Sequence, residues 1–143
     1  MSHLNNPAVR HDIVLMFDIA DGNPNGDPDS GNRPRVDPET GHGLVTDVSL
    51  KRKIRDTIGL ASNGSEGYSI FVTAGSALND TLERSYNETG TKLGKETKEA
   101  NSARAWLCRN YFDIRLFGGV LGTGNTPALG QIRGPLQVSF ARS

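Results

Sequence analysis

Apolar positions start late in this chain and change period twice. After a polar start, Ile13 to Phe17 form an apolar run within residues 12–20, a short β-branched stretch bounded by turn residues that predicts a buried strand. Residues 21–45 carry four prolines, many glycines and no apolar pair before Leu44-Val45, which predicts a long loop. From residue 46 the period becomes helical. Leu50, Ile54, Thr57 and Ile58 share one face, Thr46 or Asp47 is placed to cap the start, and Gly59 or Ser62-Asn63-Gly64 to end it. Residues 68–73 form a candidate short strand. Residues 76–111 read as two charge-rich helices broken at Asn87-Glu88-Thr89-Gly90 and Gly94, with Leu78, Leu82, Trp106 and Leu107 as the buried positions. Residues 112–117 alternate at period two and residues 131–140 partly do, so the glycine-rich stretch between them reads as a hairpin with an enlarged loop.

The resulting order is strand, helix, helical insertion, strand, strand, an α+β arrangement. It matches the first β-α-β-β of a ferredoxin-like, RNA-recognition-type βαββαβ sheet, and the second helix and last strand are missing, so the chain reads as a fragment. At 143 residues there is room for one domain, burying roughly 68–70% of the unfolded surface. Glycine, 17 of 143, is well above the usual roughly 7% and has to be explained by loops.

Charge changes the picture less than its placement does. Sixteen basic residues balance sixteen acidic ones, so the molecule is no polycation, and any nucleic-acid site must be built locally. One cysteine, Cys108, leaves no disulfide and no thiolate zinc cage, and on a helix it reads as a packing residue. With no signal peptide and no apolar stretch of membrane-spanning length, the expectation is a soluble, cytoplasmic chain without membrane contact.

Three groups of residues carry candidate chemistry. Asn23-Pro-Asn25-Gly26-Asp27-Pro follows the apolar run, Lys51-Arg-Lys53-Ile-Arg55 lies on the helix, and Gly118-Gly119, Gly122-Thr-Gly124-Asn125 and Gly130-Gln131-Ile-Arg133-Gly134 come near the end. Asn- and Gly-rich loops expose backbone N–H groups, and a basic helix start adds donors and positive charge, a combination that suits a polyphosphate backbone. Lys51 and Arg55 share an edge beside the apolar stripe, so truncating them is expected to remove charge rather than core. Arg133, Gly134, Val138 and Phe140 fit the RNA-recognition strand pattern, but Pro135 and Gln137 replace its two central stacking aromatics, so this strand is expected to grip the backbone and leave bases free.

Two other readings stay open. Asp21-Gly-Asn23-Pro-Asn25-Gly26 matches the opening of a calcium loop, with Asp29 at the ninth position, but Asn32 stands where a bidentate Glu belongs. Asp18, Asp21, Asp27 and Asp37 are candidates for holding Mg²⁺ in a metal-dependent ribonuclease. His3, His11 and His42 show no metal-ligand spacing, and no nucleophile elbow or P-loop is present.

Four segments together carry a resemblance. Phe-Asp-Ile-x-x-Gly-Asn-Pro-Asn-Gly-Asp at 17–27, Thr-Asp-Val-Ser-Leu-Lys-Arg-Lys-Ile-Arg-Asp at 46–56, Asp-Ile-Arg-Leu-Phe-Gly-Gly-Val-Leu at 113–121 and Gly-Gln-Ile-Arg-Gly-Pro-Leu-Gln-Val-Ser-Phe at 130–140 resemble the backbone-subunit family of type I-C CRISPR Cascade complexes. This is the Cas-seven family of the RAMP superfamily. The resemblance implies an RNA-recognition-type palm begun by residues 1–59, a mostly helical finger at 60–111, and palm strands at 112–143, with the thumb and last palm elements expected beyond Ser143. It also implies a non-catalytic subunit without cofactor that polymerises along a CRISPR RNA and presents it to target DNA in antiviral defence. Its partners are CRISPR RNA, target DNA, further copies of itself and other Cascade subunits. The residues expected at the RNA are Asn23, Asn25, Gly26, Arg33, Ser49, Lys51, Arg52, Lys53, Arg55, Gln131 and Arg133.

Overall fold

A computed structural model describes residues 6–90, 97–122 and 129–143. The chain is α+β. In order it forms β1 (Gly26–Asp27), a 3₁₀ turn (Pro28–Ser30), β2 (Arg33–Pro34), β3 (Leu44–Val45), α1 (Asp47–Ser62), α2 (Leu78–Glu88), α3 (Thr97–Asn110), α4 (Phe112–Phe117), β4 (Gly118–Leu121), β5 (Gly130–Arg133) and β6 (Ala141–Arg142). Among the described residues the strands make three separate antiparallel pairs, β1 with β2, β3 with β6, and β4 with β5.

The core lies under α2, α3 and α4. Leu78, Leu82 and Tyr86 recur every fourth position on α2, which places one stripe of the helix against Ala103 and Leu107 of α3. Phe71, Ile114, Leu121 and Leu129 complete the cluster, with Leu78 and Trp106 packed at its edge. Inside this cluster Ser85 is satisfied locally, its hydroxyl donating to the Leu82 carbonyl at 2.6 Å. In urea denaturation Leu82→Ala or Leu107→Ala should cost about 2–5 kcal/mol through cavity formation. Leu50 and Ile54 on α1 are only half-buried, so their truncation should cost less in the same measurement.

α1 forms as its local signals predict. Thr46 caps it by accepting from the Ser49 N–H at 3.2 Å, and Asn63, in the left-handed region at φ 45°, ends it. Other expectations change. Residues 112–117 form a helix instead of a strand, because the two polar positions of the alternating pattern both find internal partners. Asp113 turns inward, and the Arg115 guanidinium donates to the carbonyls of Cys108, Arg109 and Gly67. The hairpin remains, moved to β4 and β5; residues 123–128 of its connection lie outside the described residues, as do His3 and Gly94.

Residues 68–73 contribute only an isolated bridge from Ser69 to Tyr111, and Phe71 goes to the core. Beyond Arg133 the strand stops, since Pro135 has no N–H to donate, and Leu136 instead donates to the Leu116 carbonyl. Residues 12–20 are not in a strand. No described segment pairs with them, and the side chains of Ile13 to Met16 stay 74–87% exposed. The stretch 21–45, expected as an open loop, is instead folded on itself by β1, β2 and a bridge from Val36 to Gly43.

Candidate nucleic-acid interface

The asparagines of the first loop hold the loop itself. Asn23 Nδ2 donates to the Asn32 carbonyl at 2.7 Å, and its Oδ1 accepts from the Asn25 N–H at 3.1 Å. Asn25 Oδ1 in turn accepts from the Thr46 N–H at 2.9 Å, which ties the loop to the residue that caps α1. Gly26 keeps this approach close, since a Cβ would stand a tight 3.3 Å from the Asn32 carbonyl oxygen. Asp27 accepts from the Asp29 N–H and the Ser30 hydroxyl, and its Oδ1 lies 3.5 Å from Arg35.

The Pro24 carbonyl anchors the helix to this loop. It accepts from the Ser49 hydroxyl at 3.1 Å and from Lys53 Nζ at 2.9 Å, two side chains four residues apart on one face. The remaining cations of α1 have acidic partners. Lys51 pairs with Asp47 at 2.9 Å, Arg52 Nε meets both carboxylate oxygens of Asp56 at 2.9 Å, and Arg55 pairs with Asp113 at 2.8 Å. The first two pairs are at least partly open to solvent, and such pairs contribute about 0–1 kcal/mol, so an incoming phosphate can compete for their cations.

Arg55 is different in kind. Its side chain is 14% exposed, that of Asp113 is fully buried, and the Asp113 carboxylate also accepts from the Phe71 and Val72 N–H groups at 2.8 and 3.1 Å. Arg55 further lies over the Phe117 ring at 5.1 Å, with Lys51 at 5.7 Å. Arg55 is therefore a strut between α1 and α4, and the expectation that truncating it removes only surface charge does not hold.

Hydrogen bonding from the Lys51 ammonium holds the Asp47 carboxyl below its ordinary value. The sign follows from this depression. The pair's contribution to helix stability is complete above the ordinary carboxylate range near pH 4 and is lost as pH falls through the lowered value. An acid titration followed by the Asp47 carboxyl NMR shift should show a midpoint below that of an unpaired aspartate, and Lys51→Ala should restore it.

Around the start of α1 the surface forms an open hollow of ≈530 Å³ lined by Asn25, Arg35, Thr46, Asp47, Val48, Ser49, Arg52, Lys53 and Phe140. Three cations line it against one carboxylate, and that carboxylate is already engaged by Lys51. Of the residues predicted at the RNA, Asn25, Ser49, Arg52 and Lys53 meet here. Asn23 and Gly26 shape the loop behind them, and Arg33 is exposed on β2. Gln131 and Arg133 alternate outward on β5 and line a separate hollow of ≈420 Å³ with Phe117, Val120 and Gln137. Phe117 is thus shared between that hollow and the two cations of α1.

Arg35 and Phe140 also line this hollow, though neither is among the residues expected at the RNA and Phe140 is marked in the sequence only by its fit to the strand pattern. Arg35 follows Arg33 at strand spacing, a signal that was available; its Nε is buried without a hydrogen-bond partner among the described residues. Among the described residues no three His, Cys, Asp or Glu side chains gather as a group that could hold a metal ion. Nor is any helix among them long and apolar enough to cross a membrane.

Comparison with known proteins agrees with the resemblance at the level of family. Residues 9–143 match the family model described as CRISPR-associated protein Cas7. Over 114 residues, 78% of the chain, the sequence is 31% identical to the CRISPR-associated protein Cas7 of Haloferax volcanii. The matched stretch is 32% of that protein, so the chain spans about a third of the length of the curated relative it matches.

Proposed function

The chain belongs to the Cas7 family of CRISPR-associated proteins, and from that premise we propose that it is an RNA-binding piece of a type I-C Cascade backbone subunit. In this reading it binds CRISPR RNA, associates with further copies and other Cascade subunits, and displays the guide for pairing with target DNA. Base pairing then reads the target, and the protein supplies shape and charge. It does so without catalysis or cofactor. Residues 60–111, which hold α2 and α3, are the finger, and the elements on either side belong to a ferredoxin-like palm.

The observation that carries this reading is the cationic hollow at the start of α1. Arg35, Arg52 and Lys53 line it from the loop and the helix, and the internal anion at the helix start, Asp47, is engaged by Lys51. Arg52 and Arg35 have solvent-accessible carboxylate partners, Asp56 and Asp27, whose pairing an extended polyanion can replace, and binding of this kind is indifferent to base sequence.

Fluorescence anisotropy with labelled single-stranded RNA tests it. Affinity should fall with salt at a log–log slope of roughly −0.7 per phosphate neutralised. Arg52→Ala combined with Lys53→Ala should weaken binding across all sequences alike and reduce the slope by just under one unit for each phosphate no longer neutralised. Equal affinity at low and high salt, or an unchanged slope in the folded double variant, would reject the assignment. The same preparations, incubated with Mg²⁺ and labelled RNA, should show no cleavage. Reproducible cleavage that Asp18→Asn with Asp21→Asn abolishes would instead support the metal-dependent ribonuclease.

A further inference from the structure

We propose that Phe140 is a stacking platform for one base of single-stranded RNA, so that the hollow at the start of α1 receives a whole nucleotide rather than a phosphate alone. This rests on the RNA-binding reading above and adds a contact that the strand pattern does not predict.

The placement of Phe140 follows from strand register. β6 pairs with β3 so that Ala141 stands opposite Val45 and Arg142 opposite Leu44. Phe140 directly precedes β6 and Thr46 directly follows β3, so this register carries Phe140 toward the residue that caps α1, and both line the hollow. Phe140 therefore enters the hollow from a segment nearly a hundred residues away along the chain, facing the cations contributed by the loop and the helix.

Its ring is 52% exposed and has no aromatic or cationic partner among the described residues. Tyr68, the other aromatic of similar exposure outside the apolar run 13–17, has its face stacked on Phe112 at 5.9 Å. Val48, 69% exposed, adds a second apolar wall to the same hollow. A site for phosphate alone gains nothing from an uncovered ring and an uncovered valine. A nucleotide uses both halves, its charge on Arg35, Arg52 and Lys53 and its base on the ring.

Stacking on an aromatic contributes without regard to salt and tolerates any base, because every base has a π face. That separates it from the electrostatic part of binding. With a short labelled oligouridylate, Phe140→Ala should weaken binding about 5- to 150-fold, the equivalent of roughly 1–3 kcal/mol per stacked base, and leave the salt slope unchanged. The same strand with its bases replaced by abasic ribose should bind the wild type correspondingly more weakly and bind Phe140→Ala no worse than the intact strand does. Phe140→Tyr should keep wild-type behaviour. Phe140→Leu, which retains apolar bulk without a ring, should behave like Phe140→Ala, with circular dichroism confirming that each variant is folded.

Wild-type affinity in Phe140→Leu, or equal binding of abasic and intact strands by the wild type, would overturn the stacking role while salt-dependent RNA binding persisted. Absence of any salt-dependent RNA binding by the wild type would overturn the RNA-binding reading and this inference with it.

Discussion

Asp113→Ala is expected to lower stability by about 3–5 kcal/mol, a large share of the roughly 5–15 kcal/mol that holds a domain folded. The carboxylate is fully buried and serves three donors at once, the Arg55 guanidinium and the Phe71 and Val72 N–H groups. Removing it strands a nearly buried charge and the N–H of Phe71, a core residue, and the penalty comes from those orphaned groups rather than from the missing attraction. Arg55→Ala should cost less, because the carboxylate keeps its two backbone donors. The double replacement Arg55→Met with Asp113→Leu should recover part of the loss, since no ion then remains unpaired, but not all of it, since Phe71 and Val72 still lack their acceptor. Urea denaturation of the single and double variants gives the coupling directly. A loss below about 1 kcal/mol in Asp113→Ala would show that this network does not hold α1 to α4.

The second large effect is expected at the junction of α4 and β4. Gly118 ends the helix at φ 70° and ψ −167°, a conformation essentially restricted to glycine, and it starts the strand opposite Arg133. A Cβ there would lie well under 3 Å from the Ile132 carbonyl oxygen and the Gly134 nitrogen, and one at Gly134 would meet the Phe117 and Gly118 backbone equally closely. Backbone against backbone has no rotamer to yield, so the hairpin has to open. Gly118→Ala should cost about 1–3 kcal/mol from overpacking and a further 1–3 kcal/mol from a backbone conformation that only glycine adopts readily. Gly31→Ala is the informative comparison. It also has a positive φ, at 63°, but with ψ 36° it is in the milder left-handed helical region and has nothing within 4 Å of its Cβ, so only a left-handed cost of about 1–2 kcal/mol should appear. Equal losses at Gly31 and Gly118 in thermal unfolding would mean that the close approach of β4 and β5 contributes nothing.

Both effects bear on how the proposed RNA binding is tested. Arg55 looks like a member of the basic helix surface in sequence, yet its substitution should disturb binding only through the fold. Arg52 and Lys53 are exposed, and although Lys53 also bonds the Pro24 carbonyl, their substitution changes charge more than packing. An experiment that mutates the basic helix wholesale therefore confounds a strut with the proposed interface.

The parts of the molecule legible in the sequence are those set by neighbours along the chain. The Thr46 cap, the Asn63 stop, the Leu78–Leu82 stripe of α2, the buried Leu107 and the glycine-rich hairpin all follow from period, capping chemistry and conformational preference within a few residues. Family membership was legible as well, because several segments in the right order are a property of sequence itself.

Tertiary structure alone decided the rest. Period-two alternation at 112–117 implies a strand only if its polar residues face water, and Asp113 and Arg115 instead found partners from residues as far away as Arg55 and Gly67. The apolar run 13–17 has every local mark of a strand, but a strand exists through hydrogen bonds to another segment, and none of the described residues supplies them. Phe140 reached the cap of α1 through the register of β6 on β3, and Arg55 became a strut because a carboxylate from another helix lay within reach. Which side chains meet across such separations in sequence is fixed by packing and by the need to pair every buried polar group, and no periodicity of the chain encodes that choice.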